Sequence, residues 1–410
     1  MLIAGEASGD TLAAELVGAL RRELTAAETV YSPDLQPLRT GLEPRFFGAG
    51  GPLMKAAGVE LAFDMTGHSV VGVSEVLKNY SKFRRLFNQL YRLALEREPD
   101  AIVCVDFSGF NRRFAHAIKQ HTRRRNDWFH DWQPRLIQYV SPQVWASRES
   151  RAYQVASDYD LLLSIFAFEK EWYARRVPKL RVEYVGHPIA ERYAPTGTRR
   201  RGSEESASET KVGNAVAPAP ALLLLPGSRS GELKRHVPVM LDALKLLRGS
   251  SPNLRARMVL PNESLARQAK LLKVPADVEV QTGGLPEALA QADVAIASTG
   301  TVTMECAWFG VPTVTLYKAS WVNYEIARQL VNVKSLTMPN LLANEDIFPE
   351  FIQNAATPGN ISRAALELLR DESRRNKVKA KLSKVIASLG GPGASRRAAQ
   401  AIVRSLDTRS

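Results

Sequence analysis

Short apolar runs alternate along most of the chain with longer stretches whose hydrophobic positions recur every three or four residues. Ala101–Val105 reads as a buried strand, followed by a loop and the helical pattern Arg112–Arg124. Arg135–Val140 is the next strand and stops at Ser141-Pro142. Leu161–Phe166 and Val182–Val185 follow. From Tyr193 to Pro220 the pattern breaks, and Ser, Gly, Pro and charge leave almost nothing to bury. It resumes with Ala221–Leu225, Arg255–Leu260, Val278–Val280, Val294–Ala297 and Thr313–Leu316. Strands separated by helices predict parallel sheets covered on both faces. The expected fold class is α/β, with two Rossmann-like doubly wound domains. They are residues 1–192 and 221–375, joined by a flexible linker or insertion over 193–220 and followed by terminal helices over 376–410. Met1–Ala4 is short for a strand before the loop Gly5–Asp10, which places the expected true start a few residues upstream.

Length and charge sharpen this picture. At 410 residues the chain is too long for one ordinary core, and 45% hydrophobic content is enough to fill two. A net charge of +13 predicts anionic partners: phosphorylated metabolites, nucleic acid or an anionic membrane surface. Cys104 and Cys306 lie far apart in apolar runs, which suits a reducing compartment and no disulfide framework. No run approaches about 20 apolar residues, and no secretory signal is present. The expectation is a cytoplasmic protein, peripheral on a membrane at most.

In open parallel sheets, ligands bind beyond the carboxyl ends of the strands. The run Ala221–Leu225 ends there in Pro226-Gly227-Ser228-Arg229, just before a helical pattern. Glycine lets the backbone approach an anion, Ser228 can donate, a helix N-terminus favours negative charge, and Arg229 can hold two phosphate oxygens. Thr299-Gly300-Thr301 ends a second strand in the same way, with Glu305 one turn into the next helix and suited to two ribose hydroxyls. An ordinary strand–turn–helix connection with Ser or Thr as N-cap is the plain alternative at each turn. Two such turns, with neither a Walker-type lysine nor a Gly-x-Gly-x-x-Gly run, suggest a nucleoside diphosphate held by hydroxyls and arginine.

A series of motifs in order resembles one family across nearly the whole chain. They are Gly5–Asp10, Gly48–Met54, Gly72–Leu77, Tyr139–Ala146, Val185–Pro188, Leu225–Arg229, Thr299–Glu305, Pro339–Ala343, Pro349–Gln353 and Pro392–Ser395. The chain resembles the lipid-A-disaccharide synthases, inverting glycosyltransferases of the GT-B fold whose two domains face each other across a cleft. The resemblance implies transfer of 2,3-diacylglucosamine from UDP to 2,3-diacylglucosamine 1-phosphate, giving a β-1,6-linked disaccharide. No cofactor or metal is implied, the UDP-sugar being a substrate. By the same resemblance Gly227, Ser228 and Arg229 hold the diphosphate with Thr299, Gly300 and Thr301, Glu305 takes the ribose, and Asn340 and Gln353 lie near the nucleotide. In the first half Ser8, Gly9, Gly50, Glu75, Asn111, Ser141 and His187 fall to the substrate-binding set. The terminal helices are expected to pack back, as in similar transferases.

The catalytic base is where the sequence departs from its relatives. The commonest family pattern is Asp-x-Pro-Asp-Phe-Asn, and its second Asp is the favoured carboxylate. Here the stretch is Asp106-Phe107-Ser108-Gly109-Phe110-Asn111. Gly109 cannot take a proton, so Asp106, Asp10 and Glu6 are the candidates, with Arg229 stabilising the leaving group. Structural hydrogen bonding for Asp106 and N-capping for Asp10 are the alternatives. Asp158-Tyr159-Asp160 resembles a metal-binding Asp-x-Asp but precedes a strand, at the wrong end of a sheet. Val76, Tyr80, Phe83, Phe87, Leu90 and Ala94 form one helical face beside Lys78, Lys82, Arg84, Arg85 and Arg92. This face suits either an anionic lipid surface or the core. Arg123–Arg125 with Trp128, Phe129 and Trp132 is a second such cluster. The partners implied are UDP-diacylglucosamine, acylated glucosamine 1-phosphate and an anionic membrane, with a homodimer left open. No nucleic-acid module is present. The rival readings are a UDP-sugar enzyme of the same fold with another acceptor, and a non-catalytic relative.

Overall fold

The structure, a computed structural model, describes residues 1–27, 43–66, 80–125, 131–193, 219–321, 324–325 and 333–407. The chain divides into two compact units, Met1–Ala194 with Leu389–Ser410, and Pro195–Ser388.

The first unit holds β1 (Leu2–Ala4), β2 (Phe47–Gly50), β3 (Glu60–Asp64), β4 (Ala101–Val105), β5 (Arg135–Tyr139), β6 (Leu161–Ser164) and β7 (Arg181–Tyr184). They form a parallel sheet in the order β3-β2-β1-β4-β5-β6-β7. Its helices are α1 (Ala7–Ala27), α2 (Pro52–Ala56), α3 (Tyr80–Arg97), α4 (Ser108–Arg124), α5 (Arg151–Asp158), α6 (Ala167–Arg176) and α7 (Ile189–Tyr193). The inner strands are covered on both faces and read as unbroken apolar runs for that reason. Edge strand β3 alternates between exposed and half-buried positions.

The second unit repeats the design with β8 (Ala221–Leu225), β9 (Arg255–Leu260), β10 (Val278–Thr282), β11 (Val294–Ser298), β12 (Thr313–Tyr317) and β13 (Glu350–Ile352). The order is β10-β9-β8-β11-β12-β13, again parallel. Its helices are α8 (Ser230–Ser250), α9 (Glu263–Leu271), α10 (Leu285–Gln291), α11 (Val302–Trp308), α12 (Met338–Ala343), α13 (Pro358–Arg370) and α14 (Glu372–Ala387).

The terminal helices part company. Helix α14 packs on α11, α12 and α13 in the second unit, whereas α15 (Ala394–Asp407) packs on α1, α7, β5 and β6 in the first. Small residues let α15 lie close: Ala394, Ala398, Ala399 and Ala401 are buried with Ile402. Arg397 locks the approach, donating to the carbonyls of Val185 (2.7 Å), Pro392 (2.8 Å) and Gly391 (3.0 Å). Leu389 O in turn accepts from Tyr184 Oη at 2.7 Å and His187 N at 3.2 Å.

Helix α3 turns its aromatic face inward, one of the two readings its sequence left open. Leu90 and Ala94 are fully buried, and the Phe87 ring packs 5.6 Å from Phe110 and from Phe114, on α4. The aromatic face is core, while Lys82, Arg84, Arg85 and Arg92 are exposed. Trp132 also tucks inward, its indole donating to Pro99 O at 3.1 Å. Glu75, Val76, Lys78, Trp128, Phe129 and the linker residues 194–218 lie outside the described residues, and so does the side chain of Tyr80. Among the described residues no helix is long and apolar enough to cross a membrane.

Ala398→Leu forces extra methylenes into this tight contact and is expected to cost about 1–3 kcal/mol. A thermal unfolding midpoint equal to the parent's would contradict the docking of α15.

Candidate functional site

In each sheet the chain starts at an inner strand, winds one way, and then restarts on the other side of that strand. The reversal falls between β1 and β4 in the first unit and between β8 and β11 in the second. Adjacent strands there send their next helices to opposite faces, which opens a crevice at the carboxyl ends. The registers Ala4↔Val105 and Ala297↔Leu225 bring the following turns side by side. Gly5–Asp10 thus meets Asp106–Asn111, and Pro226–Arg229 meets Thr299–Thr301.

In the first unit the turn after β4 is strained. Asp106 and Phe107 are left-handed, at φ 49° and 44°, and so is β-branched Val140 after β5, at φ 68°. Such conformations cost on the order of 1–3 kcal/mol each and persist only when neighbours fix them. Two buried amides do so. Asn111 Nδ2 donates to the carbonyls of Asp106 (2.8 Å), Val105 (3.3 Å) and Ile3 (3.4 Å). Gln138 Nε2 reaches the carbonyls of Val140 (3.1 Å), Asp106 (3.3 Å) and Tyr139 (3.4 Å). Gly5 leaves room for Phe107, whose Cδ1 would lie 2.1 Å from a Cβ there. The outcome is a half-buried Asp106 at the crevice.

Several predicted contacts become structural here. Asp10 is 2% exposed, and its carboxylate accepts from Gly51 N (2.8 Å), Leu53 N (3.0 Å) and Met54 N (3.0 Å). Three of its four lone-pair sites thus hold the first amides of α2. Asn111 is fully buried under its turn, Ser141 is 3% exposed, and Gly9 and Gly50 are buried. Glu6 and Ser8 remain half-exposed at the start of α1. Asp158 is buried against His116 Nδ1 at 2.9 Å, and Asp160 pairs with Lys119 at 2.7 Å. The Asp-x-Asp carboxylates are thus spent on separate partners.

His187 accepts from Ile189 N at Nδ1 (3.2 Å), which leaves its proton on Nε2. Burial, helped by Arg192, pushes its pKa down to about 3, so it is a neutral donor. Its ring lies 5.4 Å from Phe166. Nearby, and not anticipated from sequence, Glu169 sits 1% exposed in the first turn of α6. Trp145 Nε1 donates to it at 3.0 Å, and Ser164 Oγ lies 2.7 Å from its other oxygen. Ser164 Oγ is also 2.6 Å from Phe166 O, which can only accept. A protonated carboxyl would donate to Ser164 Oγ and free the hydroxyl proton for Phe166 O. Burial pushes Glu169 up to about 7 accordingly.

In the second unit Gly227 has φ 120°, and a Cβ there would lie 2.3 Å from Glu232 Oε2. Glu232 accepts from Ser228 N at 3.0 Å and pairs with Arg229 Nη1 at 3.0 Å. This one carboxylate engages an amide and a guanidinium that an anion would use. Ser228, Gly300 and Thr301 are exposed, and Thr299 and Glu305 are half-buried. Asn340, by contrast, is 1% exposed and uses its whole amide on Phe348, Ile347 and Glu350. It clamps the loop that leads into β13. Gln353 is half-buried and holds Ala319, its Oε1 accepting from Ala319 N at 2.7 Å. Among the described residues, no three His, Cys, Asp or Glu side chains gather as a metal-binding group.

A family model described as lipid-A-disaccharide synthetase matches residues 1–404. The chain belongs to the lipid-A-disaccharide synthase family. Its relatives include the lipid-A-disaccharide synthase of Anaeromyxobacter dehalogenans (strain 2CP-C), 35% identical over 98% of this chain and 96% of that one. That of Geobacter metallireducens is 33% identical over 99% and 97%. Among solved structures, the UDP-GlcNAc 2-epimerase of Neisseria meningitidis gives a TM-score of 0.58 at 11% identity, covering 98% of both chains. A Staphylococcus aureus MnaA–UDP structure gives 0.57 at 15%, covering 99% of this chain and 96% of that one. These last two are likenesses of fold, the two-domain α/β arrangement of the family.

Glu232 and His236 stand three and seven residues beyond Arg229 on α8, and that helical spacing was the signal that could have found them. For Glu169 it was a lone acid in the first turn after an apolar strand. A pH effect follows from Glu169. Its carboxyl holds a proton more tightly folded, at about 7, than at the ordinary 4.5. The contribution is therefore complete below pH 4.5 and is lost as pH rises through 7, on the order of 3 kcal/mol. Glu169→Gln should flatten that part of the stability curve in denaturant titrations, and an unchanged slope would clear Glu169 of the effect.

Proposed function

We propose that this glycosyltransferase of lipid A synthesis moves 2,3-diacylglucosamine from UDP to the 6-hydroxyl of 2,3-diacylglucosamine 1-phosphate, with inversion and without a metal. What supports the reading most is the pair of turns, Pro226–Arg229 and Thr299–Thr301, meeting where the second sheet reverses its strand order. The diphosphate lies on that crevice. Ser228, Thr299 and Thr301 donate hydroxyls, Gly227 and Gly300 keep the backbone accessible, and Glu305 takes the ribose. The acceptor oxygen bonds to the anomeric carbon as the bond from that carbon to the UDP oxygen breaks. Charge gathers on the departing diphosphate, where Arg229 and the N-terminus of the 21-residue α8 stabilise it.

The acceptor's 6-hydroxyl gives its proton to Asp106. With Asp10 committed to α2, Asp106 is the carboxylate that its own turn holds in a fixed, strained pose at a crevice. Glu6 is the remaining alternative, and His187 is a neutral donor to the substrate. The exposed Lys82, Arg84, Arg85 and Arg92 of α3 offer anionic headgroups a basic surface, in keeping with work at the inner face of the cytoplasmic membrane. A second reading, a relative that binds without catalysis, draws on Gly109, where a Cβ would meet nothing within 4 Å. Product formation by the purified protein decides between the two.

Arg229→Ala should cut turnover roughly 10²-fold or more. Near-parental activity would remove Arg229 from the mechanism. Asp106→Asn should lower turnover by about 10²-fold with little change in melting temperature. Asp10→Asn should lower the melting temperature instead, and the reverse pattern would exchange their roles.

A further inference from the structure

Loops after β8 and β12 flank the turn after β11, because β11 lies between those strands. One fully buried side chain joins the two flanking loops. His236, in the second turn of α8, has Nδ1 2.7 Å from Pro226 O and Nε2 3.1 Å from Lys318 N. Pro226 O can only accept and Lys318 N–H can only donate. The ring must therefore carry its proton on Nδ1 and keep Nε2 bare. No other protonation state makes both bonds.

The bridge continues outward. Lys318 Nζ donates to the carbonyls of Gln353 and Ala356, each at 3.2 Å, while Gln353 Oε1 accepts from Ala319 N at 2.7 Å. The ends of β8, β12 and β13 are thereby tied through His236 and Lys318. Pro226 opens the turn that carries Ser228 and Arg229, so any drift of its carbonyl moves both.

We infer that His236 is a positioning residue for the diphosphate, fixing the Pro226–Arg229 turn against the loop after β12 through a neutral, Nδ1-protonated imidazole. The inference rests on the proposed UDP site in this unit. Burial keeps the ring neutral by lowering its pKa and Arg235 adds to the lowering, against the Pro226 carbonyl and the Glu232 carboxylate, which raise it. Tyr317 of β12 is a further titratable neighbour, its ring 6.3 Å away, and the Lys318 ammonium is turned to the carbonyls of Gln353 and Ala356. Protonation would set two N–H groups against each other at Lys318 and open the bridge.

The test uses UDP as probe and the full chain. Calorimetric titration should show UDP binding to the parent and binding weakened roughly tenfold in His236→Leu, the loss expected for two buried hydrogen bonds. His236→Asn keeps a donor near the Nδ1 position, His236→Gln an acceptor near Nε2, and each should recover part of the affinity. A role in packing alone would give no such recovery, and Leu would then serve as well as either amide. Nitrogen NMR of the parent should find His236 protonated at Nδ1, a reading independent of whether any variant folds. Parental UDP affinity in His236→Leu, or a proton on Nε2, overturns the inference while leaving the UDP site standing. Failure of the parent to bind UDP removes the site and the inference together.

Discussion

A parallel sheet that starts at an inner strand has to reverse direction once, and the reversal leaves a gap that no helix fills. Both units accept this constraint, and the chemistry-bearing turns gather at it. In the first, Ala4 and Val105 are neighbours across the gap. In the second, Leu225 and Ala297 are. Apolar strands on each side supply rigidity, so short turns can hold polar groups facing water without their own core.

Holding those turns takes buried polar side chains, and the two units solve the problem differently. The first uses neutral amides: Asn111 and Gln138 bind five carbonyls between them and stabilise three left-handed residues that would otherwise relax. The second uses groups that titrate. Glu232 ties Ser228 to Arg229, and His236 ties Pro226 to Lys318. Amides are indifferent to pH. An imidazole keeps its two bonds in a single protonation state, so the second arrangement is stiff only while the ring stays neutral.

Much of this was legible in the sequence. Apolar runs ending in Asp106 and in Pro226–Arg229 marked the crevices, because strand burial and turn polarity are both local signals. What local signals could not supply was direction. Asp10 and Asp106 both follow strands in polar turns, yet only a remote backbone, that of Gly51–Met54, decides that Asp10 points inward. The sequence around Asn340 does not show that its amide binds Phe348 and Glu350, partners set by the approach to β13. The aromatic stripe of α3 was ambiguous for the same reason. Its burial depends on Phe110 and Phe114 of another helix.

Helix α15 belongs to the first unit although the whole second unit precedes it in the chain. Gln400 pairs with Glu23 across 377 residues of sequence, and Arg397 with Val185 across 212. A ribosome that has finished the first two hundred residues has therefore made a sheet with α1 bare on one side. That unit can reach its final state only once α15 has been made, and until then its unclosed apolar flank is the natural target for a chaperone.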